Sequence, residues 1–302
     1  MAMTKIGFIG AGRVGSTAAY STLHTVDCDE IAIVDVVEDL AMGEAMDLET
    51  SAILLGKNVL VHGGSDYSLL KNSDVIVVSA GLARKPGMTR LDLTKANVSI
   101  ITDITKRMMQ FAPKAIVIMV TNPVDITTYA AYKASGKPRK EVLGMGSLHD
   151  TVRLVNEIKK MGGRNVKAMM MGEHGDSMFP LKSQAKFEGI RQINWTKIVG
   201  NVRERGMEII RRKGATTYTP AACAARMVKA IINDEQAEMP VSAVLEGEYG
   251  LRDIALGVPA IIGRKGLIRI VEYDLTDEEK TSLKESANIL INMAKDAGLT
   301  RN

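Results

Sequence analysis

Two arginines lie on one short loop of the sequence, the segment SAGLARKPGMTR from Ser79 to Arg90. Its glycines and proline neither continue the apolar run before it nor begin the next helix, so the loop is expected to move. A guanidinium on such a loop can polarise a carbonyl oxygen that gains negative charge during a reaction. It can also hold a carboxylate through two parallel hydrogen bonds. Arg84 and Arg90 therefore predict a lid that closes on an anion, although a solvated basic turn is the commoner explanation for such a segment taken alone.

A histidine bracketed by glycines is the second feature that could do chemistry. His174 follows an apolar run in the segment MMMGEHGDS, so its imidazole is expected at a strand end with little steric cover. Asp150, at the start of a separate predicted helix, could orient the ring. A carboxylate on one ring nitrogen fixes the tautomer, raises the pKa of the imidazole and leaves the other nitrogen to exchange a proton with a substrate. His24 and His62 are interpreted as ordinary core or surface residues.

A glycine motif, GAGRVG, follows the first predicted strand and precedes a helical stretch. Gly10 permits a tight turn, Gly12 lets the backbone approach a pyrophosphate, and Gly15 lets the helix pack close to the strand. Asp35 ends the second strand, 20 residues after Gly15. A carboxylate there can accept hydrogen bonds from the ribose hydroxyls of adenosine and would repel a 2′-phosphate. The motif therefore predicts a dinucleotide site that prefers NAD to NADP.

Short β-rich runs alternate with helical segments in the first half of the chain, which is typical of a parallel sheet covered by helices. The predicted strands cover residues 5–9, 30–34, 59–62, 75–78, 115–120 and 141–143. The predicted helices cover residues 14–23, 91–111, 150–160, 195–213, 220–232 and 277–295, with a strand-rich region at 241–271. The pattern predicts an α/β fold with a Rossmann-type doubly wound parallel sheet in residues 1–144. Residues 145–302 are predicted to form a mixed α+β domain that binds substrate.

The composition excludes several classes of protein. The 302 residues carry a formal net charge of +4 and only 4% aromatic residues, without a basic tail, so nucleic-acid binding is not expected. Two cysteines cannot build a disulfide framework or a cysteine-rich zinc site, and no metal is expected. A strand is predicted within the first few residues, so no signal peptide is expected, and no apolar run approaches the ~20 residues that a membrane helix needs. We expect a cytoplasmic protein without a membrane partner.

Taken together, the motifs resemble the lactate/malate dehydrogenase superfamily over essentially the whole chain. They are GAGRVG with Asp35, AGLARKPGMTR, TNPVD (121–125), HDTVR (149–153) and GEHGDS (172–177). The resemblance implies that His174 is the proton acceptor and donor, with Asp150 as its partner, and that Arg90 polarises the reacting oxygen. It also implies that Arg153 binds the C1 carboxylate of the substrate and that Asn122 lies between nicotinamide and substrate. The expected NAD contacts are Gly10, Gly12, Arg13, Gly15, Asp35, Gly81, Asn97, Val120 and Asn122.

Within the superfamily, Arg84 favours the malate branch, and the surrounding sequence resembles the lactate-dehydrogenase-like malate dehydrogenases. The resemblance implies arginine at this loop position in malate enzymes and usually glutamine in lactate enzymes. Arg84 and Arg153 would hold the two ends of a short dicarboxylate, whereas a substrate that ends in a methyl group leaves Arg84 without a partner. The expected activity is reversible NAD-dependent oxidation of L-malate to oxaloacetate. A homo-oligomer is expected, with a tetramer favoured over a dimer.

Two alternatives and one departure stay open. The chain could be an L-lactate or broad 2-keto-acid dehydrogenase, or a dinucleotide-binding regulator that has lost turnover, since fold alone does not fix function. A regulator, however, has no need for Arg90, Asp150, Arg153 and His174 together. The family commonly has leucine and serine on either side of the paired aspartate, where this chain has His149 and Thr151. We interpret His149 as a bystander, although it could also be a helix-start residue or a titrating neighbour of His174.

Overall fold

A nine-stranded mixed sheet forms the centre of the protein in a computed structural model that describes residues 3–83 and 87–300. The strands are β1 (Lys5–Ile9), β2 (Glu30–Val34), β3 (Leu60–Gly64), β4 (Val75–Val78), β5 (Ile116–Met119), β6 (Val142–Gly144), β7 (Arg164–Lys167), β8 (Met170–Met171), β9 (Phe179–Pro180), β10 (Lys186–Glu188), β11 (Ala237–Glu246), β12 (Arg252–Gly263) and β13 (Gly266–Ile270). The first six are parallel in the order β3-β2-β1-β4-β5-β6. Their side chains are mostly buried on both faces, as expected for a parallel sheet with helices on each side.

Eight α-helices lie within the described residues. They are α1 (Arg13–Thr25), α2 (Glu38–Leu54), α3 (Arg90–Phe111), α4 (Val124–Ser135), α5 (Gly146–Lys160), α6 (Trp195–Lys213), α7 (Tyr218–Ile232) and α8 (Asp277–Asp296). The N-terminal ends of two of them are fixed by reciprocal capping boxes, Thr89 with Asp92 for α3 and Thr276 with Glu279 for α8. Within residues 3–83 and 87–300, no helix is both long enough and apolar enough to cross a membrane.

The C-terminal strands extend the same sheet with the opposite polarity. Strand β11 pairs antiparallel with β6 and with β12, and β12 pairs antiparallel with β13. Two small sheets, β7 with β10 and β8 with β9, lie outside the main sheet. The C-terminal half is therefore mixed α and β, as predicted, but its long hairpin is joined to the parallel sheet directly.

The predicted elements agree with the structure at most positions. The bounds of β1, β2, β4 and α6 are those predicted, and the strand-rich region resolves into β11, β12 and β13. Strand β3 covers residues 60–64 instead of 59–62 because it pairs with the whole of β2. Helix α5 begins at Gly146, four residues before the predicted start, so Asp150 lies within the helix and not at its first position. Helices α2 and α4 were not specified by the sequence pattern.

Candidate active site

Gly10 and Gly12 lie in the loop between β1 and α1, Gly15 lies in the first turn of α1, and the space around each glycine differs. Gly10 has a positive φ of 105°, and a Cβ atom there would lie 2.7 Å from the backbone nitrogen of Ala80. A Cβ atom on Gly15 would lie 1.8 Å from the carbonyl oxygen of Gly10, so α1 could not pack this close to the strand. Gly12 is exposed, and a Cβ atom there would meet nothing within 4 Å. The fold thus requires the first and third glycines, while the second leaves open space for a pyrophosphate.

The groups around this open space suit a dinucleotide. Gly12 is the N-cap of α1 and makes no side-chain capping bond, so the positive end of the helix faces the space. Asp35 accepts hydrogen bonds from the N–H of Ala11 at 2.7 Å and of Val37 at 2.9 Å, one on each carboxylate oxygen. Each oxygen keeps a second acceptor site, which a ribose hydroxyl can use. The residues present therefore fit NAD.

Arg13 joins the glycine loop to the end of α6. Its Nη1 donates to the carbonyl oxygen of Lys213 at 3.0 Å. Gly214 follows in the left-handed conformation with φ 86°, and a Cβ atom there would lie 3.2 Å from the same nitrogen. Residues of the glycine loop and of the segment between α6 and α7, including Thr217, line one groove. The guanidinium of Arg13 is thus beside the predicted cofactor site and held there by the second half of the chain.

The carboxyl ends of β4 and β5 carry the next group of predicted residues. The side chain of Asn97 is fully buried and bonds to the backbone of Leu82 in both directions and to the carbonyl oxygen of Asn122 at 2.7 Å. A Cβ atom on Gly81 would lie 2.4 Å from a methyl group of Thr121, so this turn has no room for a side chain. Asn97 therefore positions the loop, and direct contact of its side chain with the cofactor stays a prediction.

The end of β5 supplies the residues expected nearest to the reaction. Asn122 is exposed there, and Val120 beside it is buried. The N–H of Val120 donates to the carbonyl oxygen of Val78 at 2.9 Å, which continues the β4–β5 pairing past both strand ends. Ligands of an open parallel sheet bind at this edge.

Three of the predicted site residues come together between α5 and the segment after β8. The Nδ1 atom of His174 lies 2.6 Å from Oδ2 of Asp150, and the other oxygen of this carboxylate lies 3.8 Å from Nη1 of Arg153. Asp150 and Arg153 are one turn apart on α5, which places both on the same face. Gly146 makes this approach possible, because a Cβ atom there would lie 2.7 Å from Cβ of His174. The predicted pairing of His174 with Asp150 is thus present in the structure.

The environment shifts the pKa values of this group in different directions. Burial alone would lower the pKa of His174, but the Asp150 carboxylate, with a smaller contribution from Asp125, raises it overall. Burial lowers the pKa of Arg153, and Asp150 partly offsets this effect. His174 is therefore able to carry a proton near neutral pH, with its second ring nitrogen left for a substrate.

His149 lies directly beside this group. Its ring centroid is 5.9 Å from that of His174, and the residue is only 4% exposed. Burial, together with the positive charge of Arg153, lowers the pKa of His149 to about 2. Its Nε2 atom has no hydrogen-bond partner among residues 3–83 and 87–300. The imidazole is thus neutral near pH 7, which favours the interpretation of His149 as a bystander over that of a titrating neighbour.

Contacts that the sequence did not predict hold the His174 segment in place. The backbone N–H of His174 donates to the carboxylate of Asp125 at 2.8 Å. Glu173 accepts a hydrogen bond from the hydroxyl of Ser177 at 2.6 Å, and Ser286 of α8 donates to the carbonyl oxygen of Ser177 at 2.8 Å. Asp125 had one visible signal, since it is a carboxylate between two apolar residues, Val124 and Ile126. Ser286 had none, because its contact joins residues 109 positions apart.

Of the two arginines in the predicted lid, the structure describes only Arg90. Arg90 is the first residue of α3, and its Nη2 lies 3.2 Å from Oδ2 of Asp176, in an ion pair that is largely exposed on both sides. The structure thus places Arg90 against the loop that carries His174, at a residue two positions beyond the histidine, and gives it no hydrogen bond to the imidazole. Arg84 lies outside the described residues.

Comparisons with known proteins give matches over almost the whole chain. A family model for the NAD-binding domain of lactate/malate dehydrogenases matches residues 4–144, and one for their α/β C-terminal domain matches residues 149–298. The chain is 50% identical over 295 residues to a malate dehydrogenase of Archaeoglobus fulgidus, covering 97% of this chain and 99% of the relative. It is 40% identical over 304 residues to an L-lactate dehydrogenase of Kosmotoga olearia, covering 95% and 94% of the two chains.

A solved structure of malate dehydrogenase from Archaeoglobus fulgidus in complex with NADH is similar throughout. It superposes with a TM-score of 0.95 at 49% sequence identity, covering 98% of this chain and all of the other. The fold and the site define an NAD-dependent oxidoreductase of the Rossmann type. The chain belongs to the lactate/malate dehydrogenase family. The predicted family, fold class and NAD cofactor are confirmed.

Proposed function

We propose that this member of the family is an NAD-dependent malate dehydrogenase, which interconverts L-malate and oxaloacetate. The single observation that carries the proposal is the group formed by His174, Asp150 and Arg153, an acid/base beside a guanidinium whose side chain is 10% exposed. The relative that is 50% identical is a malate dehydrogenase, which supports the choice of a dicarboxylate substrate. Arg84 supports it from the sequence.

Each residue has a role in the proposed reaction. Arg153 binds the C1 carboxylate of malate, which places the C2 hydroxyl beside the free ring nitrogen of His174. His174 takes the hydroxyl proton, and Asp150 stabilises the imidazolium that forms. Arg90 leaves Asp176 when the loop closes and stabilises the charge on the reacting oxygen. Arg84 binds the distal carboxylate.

The cofactor site is assigned from the same reasoning. Bound NAD would supply the hydride acceptor for the C2 carbon. The Gly10–Gly15 turn and Arg13 would hold its pyrophosphate, and Asp35 its adenosine ribose. Gly81, Val120 and Asn122 would face the nicotinamide half, with Asn97 holding the loop beside them.

We also propose two domains, a self-association and a location. Residues 1–144 would form the NAD-binding domain and residues 145–302 the substrate-binding domain, in line with the ranges of the two family models.

Met46, Ile53 and Leu54 of α2 are 67%, 77% and 90% exposed, and an apolar surface of this kind supports a homo-oligomer. The branch resemblance favours a tetramer. A cytoplasmic enzyme acting in the tricarboxylic acid cycle is consistent with this activity and with the free thiols of Cys28 and Cys223.

An L-lactate dehydrogenase is the second candidate, because relatives at 40% identity carry that activity. The two are separated by measuring kcat/KM for oxaloacetate and for pyruvate with saturating NADH. The proposal requires a clear preference for oxaloacetate. A preference for pyruvate would assign the lactate activity, and turnover of neither would leave a dinucleotide-binding protein.

A further inference from the structure

His174 has a second carboxylate partner besides Asp150. Asp125 lies in the first turn of α4, is 2% exposed, and accepts the backbone N–H of His174 on Oδ2 at 2.8 Å. This contact joins segments that are 49 residues apart in the chain. Asp150 holds the ring of His174, whereas Asp125 holds its backbone, so two anions from different helices fix one residue.

The charges around His174 come from three elements of the structure. Helix α5 contributes Asp150, the positively charged Arg153 and the neutral His149. Helix α4 contributes Asp125, and the segment of His174 itself contributes Glu173, whose charge acts on Asp125. Burial raises the pKa of Asp125 to about 6, whereas the backbone N–H and the charge of His174 lower it. Above this pH Asp125 is an anion beside the imidazole.

We propose that Asp125 is a positioning residue for His174, which fixes the backbone of the histidine and adds a second negative charge that favours the protonated ring. The inference rests on the proposed role of His174 as the acid/base. A neutral replacement of the same shape should keep the first effect and remove the second. In that case the reaction continues, but its pH dependence moves.

The test uses Asp125→Asn in the full-length protein. Asparagine has the same shape as aspartate and keeps an oxygen for the N–H of His174. Oxaloacetate reduction needs the protonated ring, so its kcat/KM falls as pH rises through the pKa of His174. Because Asp125 raises this pKa, the midpoint should move to lower pH by roughly half to one unit in the variant. The pH at which diethyl pyrocarbonate modifies His174 should move in the same direction.

Glu173→Gln provides the matched control. It removes a buried carboxylate next to His174 that bonds to Ser177 and not to the histidine, so it should shift the midpoint less. A midpoint in Asp125→Asn that equals the wild-type value, or moves no further than in Glu173→Gln, would overturn the inference. If the asparagine variant does not fold, Asp125→Ser replaces it. Absence of turnover in the wild type would instead contradict the proposed function.

Discussion

Replacing His149 by leucine should remove a destabilisation that grows as the pH falls. The unfolded chain protonates this histidine near the ordinary histidine pKa of 6.5, whereas in the folded protein the pKa is about 2. The folded pKa is depressed, so the unfolded state binds the extra proton at every pH between these values. Stability is therefore fully present above 6.5 and is lost as the pH falls below it. Between pH 7 and pH 5 the loss in the free energy of unfolding amounts to about 2 kcal/mol per chain.

The assay is denaturant unfolding of wild type and His149→Leu at both pH values and at one protein concentration. Asp125 and the other carboxyl groups titrate in both proteins, so the comparison isolates His149. Leucine also removes the unpartnered Nε2 atom, whose burial costs about 1 to 3 kcal/mol, so the variant should be at least as stable at pH 7. His149→Gln is the control, since it has a different shape but likewise does not titrate. An equal loss of stability in wild type and in both variants between pH 7 and pH 5 would refute the reasoning.

Two further predictions concern the acid/base and the cofactor loop. His174→Asn should lower kcat by roughly 100-fold or more while NADH affinity changes little, as measured by steady-state kinetics and NADH fluorescence; near-normal turnover would move the acid/base role to another residue. Gly12→Ala and Gly15→Ala should fail in different ways. A methyl group at Gly12 occupies only open space, so this variant should keep the wild-type Tm and bind NADH at least ~10-fold more weakly, whereas the clash at Gly15 should lower the Tm. Equal melting temperatures for the two variants would contradict the assigned roles of these glycines.

The parallel sheet was predictable because its signals are local. The strands are short apolar runs, and the glycine motif marks the first turn by the separate requirements of Gly10 and Gly15. Helix α2 gave no such signal, because Met46, Ile53 and Leu54 on its exposed side are apolar and the helical period is lost. An exposed face that is apolar cannot be told from a buried face by the pattern of apolar residues alone.

The pairing of His174 with Asp150 could be predicted from residue types and from the family resemblance. The contact from Asp125 could not, because nothing in the sequence states which backbone N–H a distant carboxylate will bind. The extension of the sheet by β11 also depends on a pairing between residues about a hundred positions apart, Leu143 with Ala243. The burial of His149 depends on the earlier start of α5, which the sequence pattern placed four residues too late.

The central claim is that the site selects a dicarboxylate substrate. Substitution of Arg84 tests this claim most directly. We expect wild type to prefer oxaloacetate to pyruvate, and Arg84→Gln to remove about 2 to 5 kcal/mol of transition-state binding for oxaloacetate only. The measurement is kcat/KM for both keto acids in both proteins at saturating NADH. The ratio of the two values should fall by at least ~30-fold in the variant. An unchanged ratio would mean that Arg84 does not bind the second carboxylate, and would contradict the assignment of malate as the substrate.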